Sequence, residues 1–283
     1  MTATTHHYTS KDGLQLFYRD FAGDAARCPV VCLPGLTRNS RDFEDLAPHI
    51  APARRVITPD LRGRGFSDRD PEWRNYHPDT YVQDTWTLLD MLGIDRAALI
   101  GTSLGGLMSM TMGAQHADRV AGIVLNDVGC EIAPEGLARI MGYTGKLQPV
   151  TDWASAADQA RSVYGDSMQD LDDAMWLRLA RRGFRENDDG VPVLDADPNI
   201  GVALREVGAT EQDPWASFAA LSDIPVLLLR GEHSDILSRD TIARMRDMKA
   251  DLETLEIANR GHVPLLDEPE SLAAIDKFLE RLP

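Results

Sequence analysis

The chain has 283 residues, of which 45 are acidic and 29 are basic, so its formal net charge is −16. A nucleic-acid partner is not expected, because such binders neutralise phosphates with clustered Lys and Arg. No stretch approaches the roughly 20 apolar residues that a membrane span needs. Residues 1–12 also lack the basic start and apolar run of a secretory signal. We therefore expect a cytoplasmic protein without a nucleic-acid or membrane partner, and the sequence leaves its oligomeric state open.

Three cysteines bear on the redox environment and on metal binding. Cys28 and Cys32 lie four residues apart in a strand-like run, which separates them by about 13 Å, beyond the reach of a disulfide. Cys130 is far from both in sequence, and none of the three has metal-ligand spacing. The sequence predicts reduced cysteines and no metal site.

Strand and helix signals alternate along the chain. After the Asp12-Gly13 turn, alternation over Leu14–Phe21 predicts a hairpin strand. Apolar runs predict buried strands at Pro29–Leu33, Val56–Thr58, Ala97–Ile100, Ile123–Leu125, Ile224–Leu229 and Leu252–Ile257. Helices are predicted at Arg41–Ile50, Pro78–Leu92, Leu104–Gln115, Arg239–Lys249 and Glu268–Leu282. This order predicts an α/β fold with a doubly wound, mostly parallel sheet.

One segment interrupts the alternation. Between Cys130 and Ser222 no buried strand is evident, and helix-like stretches dominate. We therefore predict a core domain made of residues 1–129 and 223–283, with a helical insertion at residues 130–222.

A Gly-x-Ser-x-Gly pattern at Gly101–Gly105 is the first candidate for chemistry. Such a pattern is common, and an ordinary glycine-rich turn is the alternative. Here it lies between a predicted buried strand and a predicted helix, which places Ser103 on a sharp strand-to-helix turn. The N-terminus of that helix favours developing negative charge. Ser103 is the predicted nucleophile.

A serine hydroxyl needs a base to take its proton and a carboxylate to orient that base. His262 comes just after the last predicted strand, and no other histidine lies downstream of the strand Ile224–Leu229 and its loop. His262 is therefore the predicted base. The other histidines are interpreted as surface or packing residues: His6, His7, His49, His77, His116 and His233.

The orienting carboxylate has more than one candidate. Asp235 lies in the loop after the strand Ile224–Leu229, which is the expected place, and Glu232 and Asp240 are close by. Asp127, just past the strand Ile123–Leu125, could reach the same histidine. Placement favours Asp235 over Asp127.

An oxyanion formed during attack requires two N–H donors. The amide of Leu104, which follows Ser103, is one candidate. The other is the amide of Leu36, in the turn Pro34–Thr37 after the strand Pro29–Leu33. An ordinary glycine turn is the alternative interpretation of this loop.

With these residues in place, the chain closely resembles the α/β-hydrolase superfamily over nearly its whole length. Pro59–Ser67 matches the Asp-x-Arg-Gly-x-Gly-x-Ser loop that follows the fourth strand of the family. Pro225–Asp235 is similar to the strand and the acid-bearing loop, and Gly261-His262 to the histidine loop. The resemblance implies that residues 130–222 form a helical cap, or lid, over the substrate pocket. It also implies that the Asp60–Ser67 loop supports the oxyanion turn.

One residue departs from the family pattern. Many relatives have His-Gly at the oxyanion turn, where this chain has Pro34-Gly35. The proline stiffens the loop and removes a polar contact, which makes Leu36 the least secure assignment.

The identity of the nucleophile narrows the chemistry that the resemblance implies. Relatives that cleave carbon–halogen bonds or epoxides use an aspartate at this turn, so Ser103 argues against both. We expect a serine hydrolase, similar to a carboxylesterase, that cleaves an ester, thioester or lactone through an acyl-enzyme, without a metal or organic cofactor. Two alternatives use the same triad, a carbon–carbon bond hydrolase and an enol-lactonase. A third alternative is a small-molecule receptor with little turnover.

Overall fold

An eight-stranded sheet is central to the computed structural model, which describes residues 2–206 and 213–283. Ten strands lie within those residues. They are β1 (Thr4–Thr9), β2 (Gln15–Phe21), β3 (Val30–Leu33), β4 (Val56–Pro59), β5 (Ala97–Thr102), β6 (Val120–Asn126), β7 (Phe184–Glu186), β8 (Pro192–Leu194), β9 (Val226–Gly231) and β10 (Glu253–Ile257).

The strand order of the large sheet is β1-β2-β4-β3-β5-β6-β9-β10. β2 is antiparallel to both β1 and β4, and every pairing from β4 to β10 is parallel. The chain passes from β3 to β4 on one side and then returns to β5 on the other side of β3. The predicted α/β class, with a doubly wound and mostly parallel sheet, is confirmed.

Ten α-helices accompany the strands within the described residues. They are α1 (Leu46–Ile50), α2 (Pro78–Met91), α3 (Leu104–Gln115), α4 (Pro134–Tyr143), α5 (Trp153–Tyr164), α6 (Asp173–Gly183), α7 (Asn199–Glu206), α8 (Pro214–Ala219), α9 (Arg239–Met248) and α10 (Pro269–Glu280). In that part of the chain no helix is both long enough and apolar enough to cross a membrane.

The predicted helix Arg41–Ile50 is broken into a 3-10 turn at Ser40–Phe43 and α1. Pro48 explains the break. Its nitrogen has no hydrogen to donate, so it is tolerated only in the first turn of a helix. The α-helix accordingly begins at Leu46, two residues before Pro48.

Both faces of the sheet are buried, and successive residues of a strand contribute to different cores. In β3, Val31 and Leu33 belong to one hydrophobic cluster, whereas Val30 and Cys32 belong to the other. The first cluster is covered by α2, α3, α8 and α9, and the second by α1 and α10. This burial on both faces is why the strands have continuous apolar runs in the sequence. The three cysteines are unpaired.

Residues 130–222, hereafter the insertion, add no described strand to the large sheet. They contain α4 to α8 and, beyond the helices that the sequence predicts, a short hairpin of β7 and β8. Inside the insertion Trp176 packs with Met168, Leu171 and Leu179, and Phe184 packs with Ala156 and Ala180. These two aromatic side chains therefore stabilise the insertion itself.

Two glycines allow α3 to begin directly at the end of β5. A Cβ atom at Gly105 would lie 2.1 Å from the carbonyl oxygen of Leu33 in β3, and one at Gly101 would lie 2.3 Å from the carbonyl oxygen of Gly105. Backbone atoms stand at both contacts, so a side chain at either position would force the helix away from the sheet.

Gly105→Ala should lower the free energy of unfolding by about 1–3 kcal/mol, because the backbone of β3 or α3 must move to admit the methyl group. Thermal unfolding followed by circular dichroism measures the effect. Gly142→Ala in α4 is the matched control, since a Cβ there meets nothing within 4 Å, and it should keep or raise the melting temperature. Equal losses in the two variants would show that close packing at Gly105 is not the cause.

Candidate active site

The carboxyl ends of the parallel strands bring the candidate residues to one edge of the sheet. Leu33 of β3 pairs with Gly101 of β5, and Thr102 of β5 pairs with Asn126 of β6. The loops after these three strands therefore start at the same level. Ligands of open α/β sheets bind at this edge, where the strand order reverses.

Ser103 occupies the turn between β5 and α3 as the sequence predicts. Its φ of 51° lies in the left-handed region, which a residue other than glycine adopts rarely and at an energetic cost. Its backbone N–H donates to the carbonyl of Asn126 at 3.0 Å, which ties the turn to the neighbouring strand. The turn presents Ser103 Oγ to His262 Nε2, and the two atoms are 2.9 Å apart.

His262 and Asp127 complete the hydrogen-bonded chain. His262 Nδ1 lies 2.8 Å from Asp127 Oδ2, and both side chains are buried. With Nδ1–H donating to the carboxylate, Nε2 is left as an acceptor for the serine hydroxyl. The structure therefore joins Ser103, His262 and Asp127 in the arrangement of a catalytic triad.

This geometry corrects the preference for Asp235 as the orienting carboxylate. Arg139 of α4 donates to both oxygens of Asp235, at 2.6 and 2.9 Å, and Nδ1 of His262 is already engaged by Asp127. Burial acts to raise the pKa of Asp235, but the hydrogen bonds and charge of Arg139 outweigh it and hold that pKa below its usual value. Asp235 is thus held as an ion-pair partner of the insertion.

The other two candidate carboxylates, Glu232 and Asp240, are also not hydrogen-bonded to His262. Glu232 accepts a hydrogen bond from the amide of Asn259 at 3.0 Å. Asp240 is exposed in the first turn of α9.

Ser234 is a site residue that the sequence did not reveal. Its Oγ donates to Asp127 Oδ2 at 2.7 Å, and the amide of Gly231 donates to Asp127 Oδ1 at 2.8 Å. The end of β9 and the loop after it, where the acid is expected, instead supply two donors that hold the acid at the end of β6. A serine next to an aspartate in a loop carries no distinctive signal for this role.

The oxyanion turn is held in place by Arg64. The carbonyl of Leu36 accepts from Arg64 Nε at 2.9 Å and from Arg64 Nη2 at 2.7 Å. Asp60 connects the Asp60–Ser67 loop to the segment that follows the oxyanion turn. Its carboxylate accepts hydrogen bonds from the amides of Ser40 and Phe66 at 2.7 and 2.9 Å. The loop Asp60–Ser67 therefore contacts and fixes the turn, as the resemblance implies.

Leu104 is the first residue of α3, so its amide has no partner within the helix. Leu36 and Leu104 both line a cavity with Ser103. The two predicted donors thus remain the candidates for the oxyanion hole.

Two cavities meet at Ser103. The first is here called the polar cavity because the side chains of His262, Arg38, Tyr143, Tyr164 and Arg182 line it, although most of its other lining residues are apolar. The second, the apolar cavity, is lined by Leu104 and by Leu107, Ile132, Leu137, Ile200 and Leu204 among others. Ser103, Leu36 and Ile140 line both. Within residues 2–206 and 213–283, no group of three or more His, Cys, Asp or Glu side chains is arranged to hold a metal ion.

Comparison with known proteins agrees with the observed fold. A family model described as the alpha/beta hydrolase fold matches residues 29–269. The chain belongs to the α/β-hydrolase family and is a hydrolase of that fold.

Individual relatives cover between 78% and 99% of the chain. The crystal structure of an α/β hydrolase from Novosphingobium aromaticivorans superposes with a TM-score of 0.94 at 46% identity, over 99% of this chain and 98% of that one. A 3-hydroxybutyrate-oligomer hydrolase from Cupriavidus necator is 30% identical over 93% of this chain and 92% of its own. A 2-hydroxy-6-oxo-2,4-heptadienoate hydrolase from Pseudomonas putida is 30% identical over 78% and 77%.

The two carboxylates can be separated by matched substitutions. Asp127→Asn should lower kcat for a 4-nitrophenyl ester by about 10⁴-fold, because the amide cannot hold the same histidine tautomer. Asp235→Asn should leave kcat within about tenfold of the parent, since Asp235 contacts Arg139 and not His262. Steady-state kinetics on both variants, with circular dichroism as a folding control, measures the difference. The reverse order of effects would restore Asp235 as the acid.

Proposed function

We propose that this protein is a serine hydrolase that cleaves a carboxylic ester of a small molecule through an acyl-enzyme on Ser103. The observation that carries the proposal is the continuous chain from Ser103 Oγ to His262 Nε2, 2.9 Å, and from His262 Nδ1 to Asp127, 2.8 Å. A base positioned at hydrogen-bond distance is what a serine hydroxyl needs to become a nucleophile.

The reaction follows from these positions. His262 Nε2 takes the hydroxyl proton as Ser103 Oγ attacks the carbonyl carbon, and the amides of Leu36 and Leu104 donate to the oxyanion. Each such donor typically contributes about 3–4 kcal/mol to the transition state. The carbon–oxygen bond to the alcohol then breaks, and His262 returns the proton to the leaving oxygen. Water then gives a proton to the same nitrogen as it attacks the acyl carbon, the bond to Ser103 Oγ breaks, and His262 passes the proton to that oxygen, which releases the acid and restores the serine.

The relative from Cupriavidus necator supports ester cleavage. Its name describes a hydrolase of 3-hydroxybutyrate oligomers, and hydroxy acids join into oligomers through ester bonds. A thioester or a lactone presents the same acyl carbon to Ser103 and falls within the same proposal.

The relative from Pseudomonas putida supports a second candidate, hydrolysis of a carbon–carbon bond in a vinylogous diketone. Its name describes a 2-hydroxy-6-oxo-2,4-heptadienoate hydrolase, whose substrate carries a keto group on a dienoate chain. Turnover of a ring-fission diketone far faster than of any simple ester would favour this candidate. If neither is cleaved and a small ligand raises the melting temperature, the receptor alternative is favoured.

We also propose that the insertion acts as a cap domain over a core of residues 1–129 and 223–283. Ile140, Tyr143 and Tyr164 of the insertion line the polar cavity beside Ser103. Replacing the insertion should therefore change which substrates are cleaved more than it changes the chemistry performed by the triad.

A cytoplasmic location and the absence of a nucleic-acid partner complete the proposal. Unpaired cysteines are typical of reducing compartments. The net charge of −16 disfavours a polyanion.

Ser103→Ala should abolish hydrolysis of 4-nitrophenyl butanoate while leaving the melting temperature close to that of the parent. The parent should also gain the mass of one phosphonyl group on incubation with a fluorophosphonate, and the variant should gain none. Intact-mass spectrometry and absorbance kinetics give the two readouts. Ser162→Ala, on the exposed face of α5, is the control and should retain both properties. Retained turnover in Ser103→Ala would remove the proposal.

A further inference from the structure

Asn126 is a buried polar residue that takes no part in the triad itself. It is the last residue of β6 and directly precedes Asp127. It borders the polar cavity, yet it is 0% exposed, so its side chain cannot act on a substrate directly. Burial of an amide costs free energy unless its groups are hydrogen-bonded, and the partners of this amide therefore show what it does.

The side-chain amide joins two of the loops that carry the triad. Asn126 Nδ2 donates to Thr102 Oγ1 at 3.1 Å and to the carbonyl oxygen of Pro264 at 3.0 Å. Thr102 directly precedes Ser103, and Pro264 lies two residues after His262. Because a backbone carbonyl can only accept, the nitrogen of the amide and not its oxygen must face Pro264. One nitrogen atom therefore bridges the serine turn and the histidine loop.

The backbone of the same residue makes two further links. The carbonyl oxygen of Asn126 accepts a hydrogen bond from the amide of Ser103 at 3.0 Å, and its peptide bond leads directly into Asp127. Asn126 is thus hydrogen-bonded to the turn of the nucleophile and to the loop of the base, and it is covalently joined to the acid.

The bond to Pro264 matters most, because the histidine loop has few other restraints of this kind. Within the described residues, the backbone of residues 261–264 makes one hydrogen bond, and Asn126 Nδ2 supplies it. The imidazole of His262 is held by Asp127, but that bond acts at the end of a rotatable side chain. The amide of Asn126 is therefore the hydrogen-bonded restraint that sets the distance between the loop backbone and β6.

The other end of the amide indicates why an asparagine stands at this position. Asn126 Oδ1 has no hydrogen-bond partner among the residues that the structure describes. A buried acceptor without a partner lowers stability, so stability alone does not favour asparagine here. The compensating gain is the pair of bonds made by Nδ2, and both of them lead to the triad.

We propose that Asn126 is a positioning residue for hydrolysis, whose Nδ2 holds the histidine loop against the serine turn so that His262 Nε2 stays within hydrogen-bond distance of Ser103 Oγ. Asn126 touches no reacting atom and acts through Thr102 and Pro264. This inference rests on the proposed function, because it requires Ser103 to be the nucleophile.

Asn126→Leu tests the role, since leucine is of similar size and has no hydrogen-bond donor. For 4-nitrophenyl butanoate, kcat/KM should fall about 10- to 100-fold, because a displacement of the base by a fraction of an ångström to about 1 Å has an effect of this order. Circular dichroism checks that the variant is folded.

Labelling with a fluorophosphonate separates a positioning role from a merely structural one. In Asn126→Leu the final extent should still approach one phosphonyl group per chain, whereas the rate constant of labelling should fall about 10- to 100-fold. A variant that has only lost folded protein would be labelled at the parent's rate constant and to a smaller final extent. Intact-mass spectrometry at successive times gives both quantities, and that second pattern would overturn the proposal.

Thr102 provides a test that leaves Asn126 in place. Thr102→Val removes one acceptor of Nδ2, and the rate constant of labelling should fall about threefold to tenfold, the range for one ordinary hydrogen bond. Thr102→Ser keeps a hydroxyl and should recover most of this loss. Thr58→Val in β4 is the matched control, because Thr58 Oγ1 is also buried but has no partner in the described part of the chain, and it should keep the parent's rate constant.

The double variant shows whether the two residues act as one unit. Asn126→Leu with Thr102→Val should be labelled no more slowly than Asn126→Leu alone, because both changes remove bonds of the same nitrogen. Losses that multiply would show that Thr102 acts independently, and they would overturn the role given to its bond with Asn126.

A parent-like rate constant and full extent of labelling in Asn126→Leu would overturn the proposal and leave the serine hydrolase standing. If Asn126→Leu does not fold, the Thr102 variants decide, and equal rate constants for Thr102→Val and the parent would overturn it. Absence of Ser103-dependent turnover in the parent would instead overturn the proposed function itself.

Discussion

The contact of α3 with β3 and β5 is the constraint on which the candidate site depends. No side chain fits between the helix and the carbonyl groups at Gly101 and Gly105, so the helix can start immediately where β5 ends. The connection is then too short for ordinary extended or helical backbone, and Ser103 takes a φ of 51°. That conformation fixes the direction of the serine hydroxyl before any substrate binds. His262 and the two cavities are arranged around this single atom.

The sequence predicts the residues whose roles follow from local order, and it misses those that depend on neighbours in space. Ser103 lies between a strand and a helix that are both recognisable, and His262 is the one histidine downstream of the later strands. The identity of the orienting carboxylate is different, because it depends on two spatial relations that the spacing of residues in the sequence does not reveal. β6 is the direct neighbour of β5, and Arg139, 96 residues before Asp235 in the chain, binds Asp235. Only the fold brings those residues together.

Ion pairs join the insertion to the rest of the chain, in addition to apolar contacts such as those of Ile200 and Phe218 in the main hydrophobic cluster. Arg178 pairs with Asp267 at 2.5 Å, Arg182 pairs with Asp45, and Asp170 accepts from Arg260 at 2.7 Å. Such pairs are individually weak where solvent reaches them, but together they orient the helices that face Ser103. The apolar residues of the insertion that sequence patterns single out mostly pack inside it. The polar residues of the insertion that line the polar cavity follow no helical or strand periodicity in the sequence, and they were not predicted.

The position of Asp127 has a consequence for motion. Its amide donates to the carbonyl of Leu229 at 2.8 Å, and its carboxylate is held by Gly231 and Ser234. These bonds tie the residue to the sheet and involve no helix of the insertion. Asp235, by contrast, is hydrogen-bonded to Arg139 of α4. An acid placed at Asp235 would tilt the imidazole whenever α4 shifted to admit a ligand. With the acid at the end of β6, a shift of α4 does not pull directly on the carboxylate that orients the imidazole.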